Sequence, residues 1–253
     1  SFGQCKIWPT LQNRRLGCLQ RNSFRWLYLN QRIEAVSPFL SKSEWEANGA
    51  APAVPLSAPC WAGLDLSASR DLTALVLVFP IDDKFHVVPH FFLPSQGARE
   101  RGKIDGGPYD TWAKQGFMTL IDGPVIDPSV IAMAVAEISQ DYDLQLLAYD
   151  RWRIHDFQRA LDKLGAQVPM VSFGQGFKDM APAVDKVERL VVERKLGHGA
   201  KPVLNFCVAN AVVTQESAGN RNHPDNGSLR PGTSSKHPVH HRPLNHGRAS
   251  WDP

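Results

Sequence analysis

Between residues 61 and 94 the chain is written in runs of β-favouring apolar residues separated by short polar breaks. The run over 61–67 is closed by the turn "SASRD", the run over 72–79 by "IDDK", and the third is "FHVVPHFFLP" (85–94). Runs of this length between turn residues predict three strands joined by hairpins, an antiparallel meander. The segment 95–116, "SQGARERGKIDGGPYDTWAKQG", breaks the pattern and reads as a loop. Beyond it the period becomes helical. Ile131, Ala134, Val135 and Ile138 share one face of a helix over 128–140, with Asp127 as N-cap and Pro128 at the first helical position. "LQLLAYD" predicts a short buried strand ending at Asp150. "RIHDFQRALDKLG" predicts a helix with Ile154, Phe157, Leu161 and Leu164 on one face and Gly165 as terminator. "VPMVSF" predicts a strand, and "APAVDKVERLVVERKLGHG" a helix closed by Gly197. The order predicts an α/β fold: a three-strand antiparallel meander followed by parallel strands, in one mixed sheet flanked by helices.

The flanks read differently. Residues 1–60 form an irregular extension with one helix-like piece, "SFRWLYLNQRIE", and a Pro/Ala/Ser linker, "NGAAPAVPLSAP". Residues 61–216 form the α/β domain, and 217–253 read as a disordered tail rich in Pro, Gly, Ser, His and Asn. His223, His237, His240, His241 and His246 crowd this tail, but no Cys and no regular spacing accompany them, which argues against a zinc site. The chain does not open with Met, which fits a fragment.

Composition changes this picture little. At 253 residues, 43% hydrophobic and 21% charged, the chain is long enough for one large domain with extensions. A net charge of +3 permits nucleic-acid binding without arguing for it. Cys5, Cys18, Cys60 and Cys207 lack CxxC spacing, as in a reducing compartment. No apolar run reaches the length of a membrane span, and the first residues lack a signal-peptide apolar region.

Two acids stand out against the apolar background. Asp65 interrupts "WAGLDLSASRDLTALVLVFP", and Asp150 ends the fourth strand. A buried, unpaired carboxylate is costly, so each needs a partner. In this order of elements both fall at neighbouring positions of the sheet, where two carboxylates repel unless a cation holds them together. Mg²⁺ or Mn²⁺ suits such hard oxygen ligands, and a pair of ions about 4 Å apart can activate water and stabilise the leaving oxygen of a phosphodiester. The competing reading is structural, with Asp65 capping a turn and Asp150 capping the next helix.

Several blocks in order, "GLDLSASRDLTALVLVFP", "GGPYDTWAKQG", "LLAYDRWRIHDFQRALDKLG", "VSFGQGFKDMAPAVDKVERL" and "HGAKPVLNFCVANAVV", resemble the nuclease domain of the large terminase subunit of tailed bacteriophages. "NSFRWLYLNQRIEAVSPFLSKSEWEA" is similar to the linker that joins the ATPase domain of that family to its nuclease, so the resemblance spans residues 22–221. It implies a ribonuclease H-like fold and metal-dependent cutting of double-stranded concatemeric DNA during packaging. It also implies a small terminase subunit and a portal as partners, in the cytoplasm of a bacterial host. By motif, Asp65 and Asp150 become catalytic acids and metal ligands. Asp71 either supports the metal or closes its turn. Arg70, Arg151 and Arg153 either hold phosphates or pair with Asp71 and Asp156. "FGQGF" between strand and helix is weak as a phosphate loop, and Tyr109 and Trp112 read as packing residues.

The resemblance also has gaps. No GxxxxGK[ST] occurs, so the family's ATPase domain is not represented. Its third acid belongs beyond "NAVV", where the chain is aberrant; shifting a back-translation of "KHPVHHRPLNHG" by one nucleotide permits apolar codons, so a frameshift fits. Asp225 lacks a strand or helix to position it. The expectation is an impaired endonuclease, and the alternative is an inactive prophage remnant that binds DNA or packaging partners. A sugar-kinase or actin-like ATPase shares the "GLDLS" strand but needs a second Gly-rich phosphate strand that is not found.

Overall fold

In the computed structural model, residues 39–67, 71–150 and 154–211 are described, together with the backbone of 214–215 and 221–222. The helix-like piece at 23–34 and nearly all of the tail lie outside the described residues. Strands β1 (Pro59–Asp65), β2 (Thr73–Ile81) and β3 (Lys84–Pro94) form the expected antiparallel meander. β5 (Asp143–Tyr149) pairs parallel with β1, and β6 (Met170–Ser172) parallel with β5. β4 (Thr119–Ile121) and β7 (Leu196–Gly197) both pair parallel with β3. The sheet order is β4-β3-β2-β1-β5-β6, with β7 beside β3. β8 (Thr214–Gln215) and β9 (Arg221–Asn222) pair antiparallel as a separate two-stranded sheet.

Strand alternation divides the core between the two faces of the sheet. Cys60, Ala62 and Leu64 of β1 and Leu75, Leu77 and Phe79 of β2 are buried against two helices, α4 (Pro128–Asp141) and α5 (Ile154–Leu164). Those helices present Ile131, Val135 and Ile138, and Ile154, Phe157 and Leu161. Ile131, Val135 and Phe157 are fully buried, each contributing about 1.5–3 kcal/mol. The Asp127 carboxylate accepts from the Ser129 N–H at 2.9 Å, so α4 starts where a cap followed by Pro128 predicts.

The opposite face corrects several expectations. The presumed loop 95–116 contains α2 (Ala98–Asp105) and α3 (Tyr109–Lys114). Among the residues of α2 only Ala98, Gly102 and Asp105 are buried, so no apolar stripe advertises it. Tyr109 and Trp112 are buried and packed with Phe91, Leu93 and Val203, in agreement with their reading as packing residues. The helix expected from 181 is α6 (Phe177–Val192), which begins earlier and carries Pro182 within it. It also stops before Gly197: Arg194 turns at positive φ, and Leu196–Gly197 adds to the sheet instead. Helix α7 (Pro202–Asn210) then returns over Phe91 and Leu93.

The stretch read as irregular linker is tied to this face. Helix α1 (Lys42–Glu46) carries Trp45, whose indole N–H donates to Asn205 Oδ1 at 2.8 Å. Asn48 Nδ2 donates to the Val191 carbonyl at 2.9 Å, and its Oδ1 accepts from the Leu196 N–H at 3.2 Å.

Candidate metal centre

The parallel register between β1 and β5 decides the geometry. Gly63 pairs with Ala148 and Leu64 with Tyr149, so Asp65 and Asp150 follow as the next residues on two adjacent strands. Neighbouring strands lie about 4.8 Å apart, which sets the two acids side by side where the parallel strands β1 and β5 end, at the rim of the sheet. Alternation also gives them the same face. Leu64 is buried among α4 and α5 and Tyr149 packs against that cluster, so the next position on each strand turns to the other side. That side is open around β1 and β5: Trp61 is 42% exposed and Gly63 is exposed, while Asp65 and Asp150 are both half-buried. Asp65 also pairs across the antiparallel ladder with Ala74 of β2.

Asp71 sits differently. Its carboxylate receives Arg101 Nη1 at 2.7 Å. Arg101 Nε also donates to Asp105 Oδ2 at 2.6 Å, and the Tyr109 hydroxyl donates to the same oxygen at 2.9 Å. Asp105 is 3% exposed. Burial works against the Arg101 charge, but the bond and charge of Asp105 and the charge of Asp71 outweigh it and leave the guanidinium above its ordinary pKa. Burial, reinforced by Asp105, likewise pushes the Tyr109 phenol up. Arg101 and Asp105 carry no signal in the sequence pattern, and Tyr109, expected only as a packing residue, also donates to Asp105. The i, i+4 relation of Arg101 and Asp105 becomes visible only once α2 is recognised as a helix.

The remaining candidates divide. Arg70, Arg151 and Arg153 lie outside the described residues. The salt-bridge partners foreseen for them have other cations: Asp71 holds Arg101, and Asp156 holds Arg159. "FGQGF" does connect β6 to α6, but a Cβ on Gly174 would lie 2.1 Å from Asp179 Oδ2. A carboxylate already fills the space over that glycine, which disfavours a phosphate there. A cleft of about 350 Å³ lies along β3, lined by His90, Phe91, Met118, Met133 and Glu137 among others. β2 separates β3 from β1: Ala74 pairs with Asp65 on one side and with Phe91 of the cleft on the other, so the cleft and the acid pair are distinct sites two strands apart. Among the described residues no group of three or more His, Cys, Asp or Glu is placed to hold a metal ion. None of their helices is long and apolar enough to cross a membrane.

Two carboxylates at the ends of adjacent parallel strands fit one hard divalent cation through oxygen ligands. The comparisons with known proteins agree on a family. A model of the terminase large subunit endonuclease domain matches residues 22–224. The terminase large subunit of Enterobacteria phage HK97 is 47% identical over 203 residues, 79% of this chain and 40% of that protein. The crystal structure of the HK97 bacteriophage large terminase aligns with a TM-score of 0.72 at 45% identity, covering 83% of this chain and 44% of that one. The chain therefore spans less than half the length of this relative. The fold is the ribonuclease H-like mixed sheet of the terminase nucleases. The large terminase nuclease from thermophilic phage G20c with bound magnesium is a more distant likeness, with a TM-score of 0.47 at 12% identity over 76% of this chain and 88% of that one.

Proposed function

This chain belongs to the terminase large-subunit endonuclease family, and from that premise we propose that it is a divalent-cation-dependent endonuclease acting on double-stranded DNA. The observation that carries the reading is the register that sets Asp65 beside Asp150 on one open face of the sheet. The two acids are the metal ligands, and Mg²⁺ or Mn²⁺ supplies Lewis acidity toward a phosphodiester oxygen when bound. Their share of the chemistry is positional. Each strand end fixes one carboxylate, and the ladder between them fixes the separation. The open face around Trp61 and Gly63 leaves room for a duplex to approach that rim. Arg151 and Arg153 follow Asp150, Arg70 lies five residues after Asp65, and the three serve as phosphate contacts. The functional unit is residues 61–216, with Pro59 and Cys60 opening its first strand and 39–58 packed on it. In the packaging context of the family, the substrate is concatemeric phage DNA in the host cytoplasm, with a small terminase subunit and a portal as partners.

A second reading is favoured by one observation: beyond "NAVV", where the family's third acid belongs, the sequence is aberrant. On that reading the chain is a remnant that binds DNA without cutting it. Nicking of supercoiled plasmid in Mn²⁺ or Mg²⁺ separates the two. We expect cation-dependent nicking that EDTA stops and that Asp65→Ala reduces at least about a hundredfold. Nicking that survives Asp65→Ala contradicts the assignment, and DNA binding without nicking in the wild type favours the remnant.

A further inference from the structure

Arg101 is held between two carboxylates, Asp71 at 2.7 Å and Asp105 at 2.6 Å. Asp105 is buried and is braced by the Tyr109 hydroxyl at 2.9 Å, while Arg101 and Asp71 are partly open to solvent at 32% and 49%. The arrangement is a lever with its fixed end in the α2–α3 core and its free end on Asp71. Asp71 stands three residues before Ala74, the residue paired with Asp65. The Ser67 N–H donates to Thr73 Oγ1 at 3.0 Å, and Thr73 Oγ1 contacts Ser67 Oγ at 3.2 Å, so the chain leaving Asp65 and the chain returning to Ala74 are pinned together. Arg101 ties that return to α2. The guanidinium and two carboxylates sum to a charge of −1, so this cluster does not attract phosphate. Its charge favours a cation nearby, and Asp71 has one oxygen already committed to Arg101.

Resting on the acid-pair reading, we infer that Arg101 is a positioning residue for the metal site: anchored by Asp105 and Tyr109, it holds Asp71 and with it the β1–β2 return, so that the Asp65 carboxylate is set for a divalent ion. Asp71 is part of the brace and not a ligand. Partners that orient metal ligands are worth about 10–100-fold in metal affinity.

The test is Mn²⁺ binding to the full chain, followed by electron paramagnetic resonance of the free ion, alongside the nicking rate at saturating Mn²⁺ and the thermal midpoint. Removing Arg101 outright would strand the buried Asp105 charge and threaten folding, so Asp71→Asn and Arg101→Lys are the informative variants. We expect Asp71→Asn to weaken Mn²⁺ binding about tenfold, with the saturated rate within about threefold of wild type and an unchanged midpoint. Arg101→Lys, which reaches one carboxylate but not both, should show the same split. Unchanged Mn²⁺ affinity in Asp71→Asn reduces the pair to a surface salt bridge and overturns the inference. A fall beyond about a hundredfold, with the saturated rate falling too, makes Asp71 a ligand and also overturns it. Asp65→Ala separates this from failure of the site itself: wild type that binds no Mn²⁺, or binds it equally after Asp65→Ala, refutes the acid pair rather than the brace alone.

Discussion

His198 is buried and stacked on Trp45, with ring centroids 3.9 Å apart. The Ala200 N–H, which can only donate, lies 3.2 Å from Nδ1, so Nδ1 accepts and the proton sits on Nε2, which donates to the Trp45 carbonyl at 2.9 Å. Protonating Nδ1 would break the Ala200 bond and bury a charge. Burial lowers the pKa from 6.5, although the Trp45 bond opposes it. The sign follows. Above pH 6.5 both folded and unfolded forms are neutral and the stabilisation is complete; below it the unfolded chain takes up a proton that the folded chain resists. Stability should fall as the pH drops from about 7 toward 5, by at most about 1.4 kcal/mol per pH unit from this group. His90 is lowered in the same direction, by burial and then by Lys201, so His198→Gln should remove part of the slope and not all of it. Thermal melts across that pH range decide; an identical slope in His198→Gln contradicts the assignment. At this scale the acids of the proposed site were legible because a carboxylate ending an apolar strand is expensive without a partner. Asp105 was not, because nothing in "RGKID" marks its burial.

At the scale of elements, legibility followed periodicity. The meander, α4, β5 and α5 read correctly because their apolar residues recur at two or at three to four. α2 and α3 did not, since α2 is polar and both are bounded by glycines. Gly97 and Gly106 take left-handed conformations at the two ends of α2, which is also why they read as loop. Gly102 tests this packing. Ala is a better helix former by about 1 kcal/mol, but a Cβ at 102 would lie 2.5 Å from the Gly107 carbonyl oxygen. That atom belongs to the backbone between α2 and α3 and cannot swing aside. The clash should win, and Gly102→Ala should lower stability by about 1–3 kcal/mol in urea denaturation. A gain in stability would mean that the two helices are not packed so closely. β7 was missed for another reason: two residues carry no period, and only Phe85 and His86 across the ladder define them as strand.

For the whole molecule, the architecture was readable from the order of elements and the acid pair from where β1 and β5 end. Which face stays open was not readable, because it depends on α2, α3, α6 and α7 covering β3 while leaving Trp61 and Gly63 exposed. That asymmetry turns two sequence-distant aspartates, 85 positions apart in number, into neighbours on an accessible rim. The most direct test is an anomalous difference map from crystals of the chain soaked in Mn²⁺. A peak bridging Asp65 and Asp150 is expected, with carboxylate oxygens from both at roughly 2.0–2.3 Å, and no peak in Asp150→Asn crystals. A peak held by other residues, or two carboxylates turned away from each other with no ion between them, would contradict the acid pair.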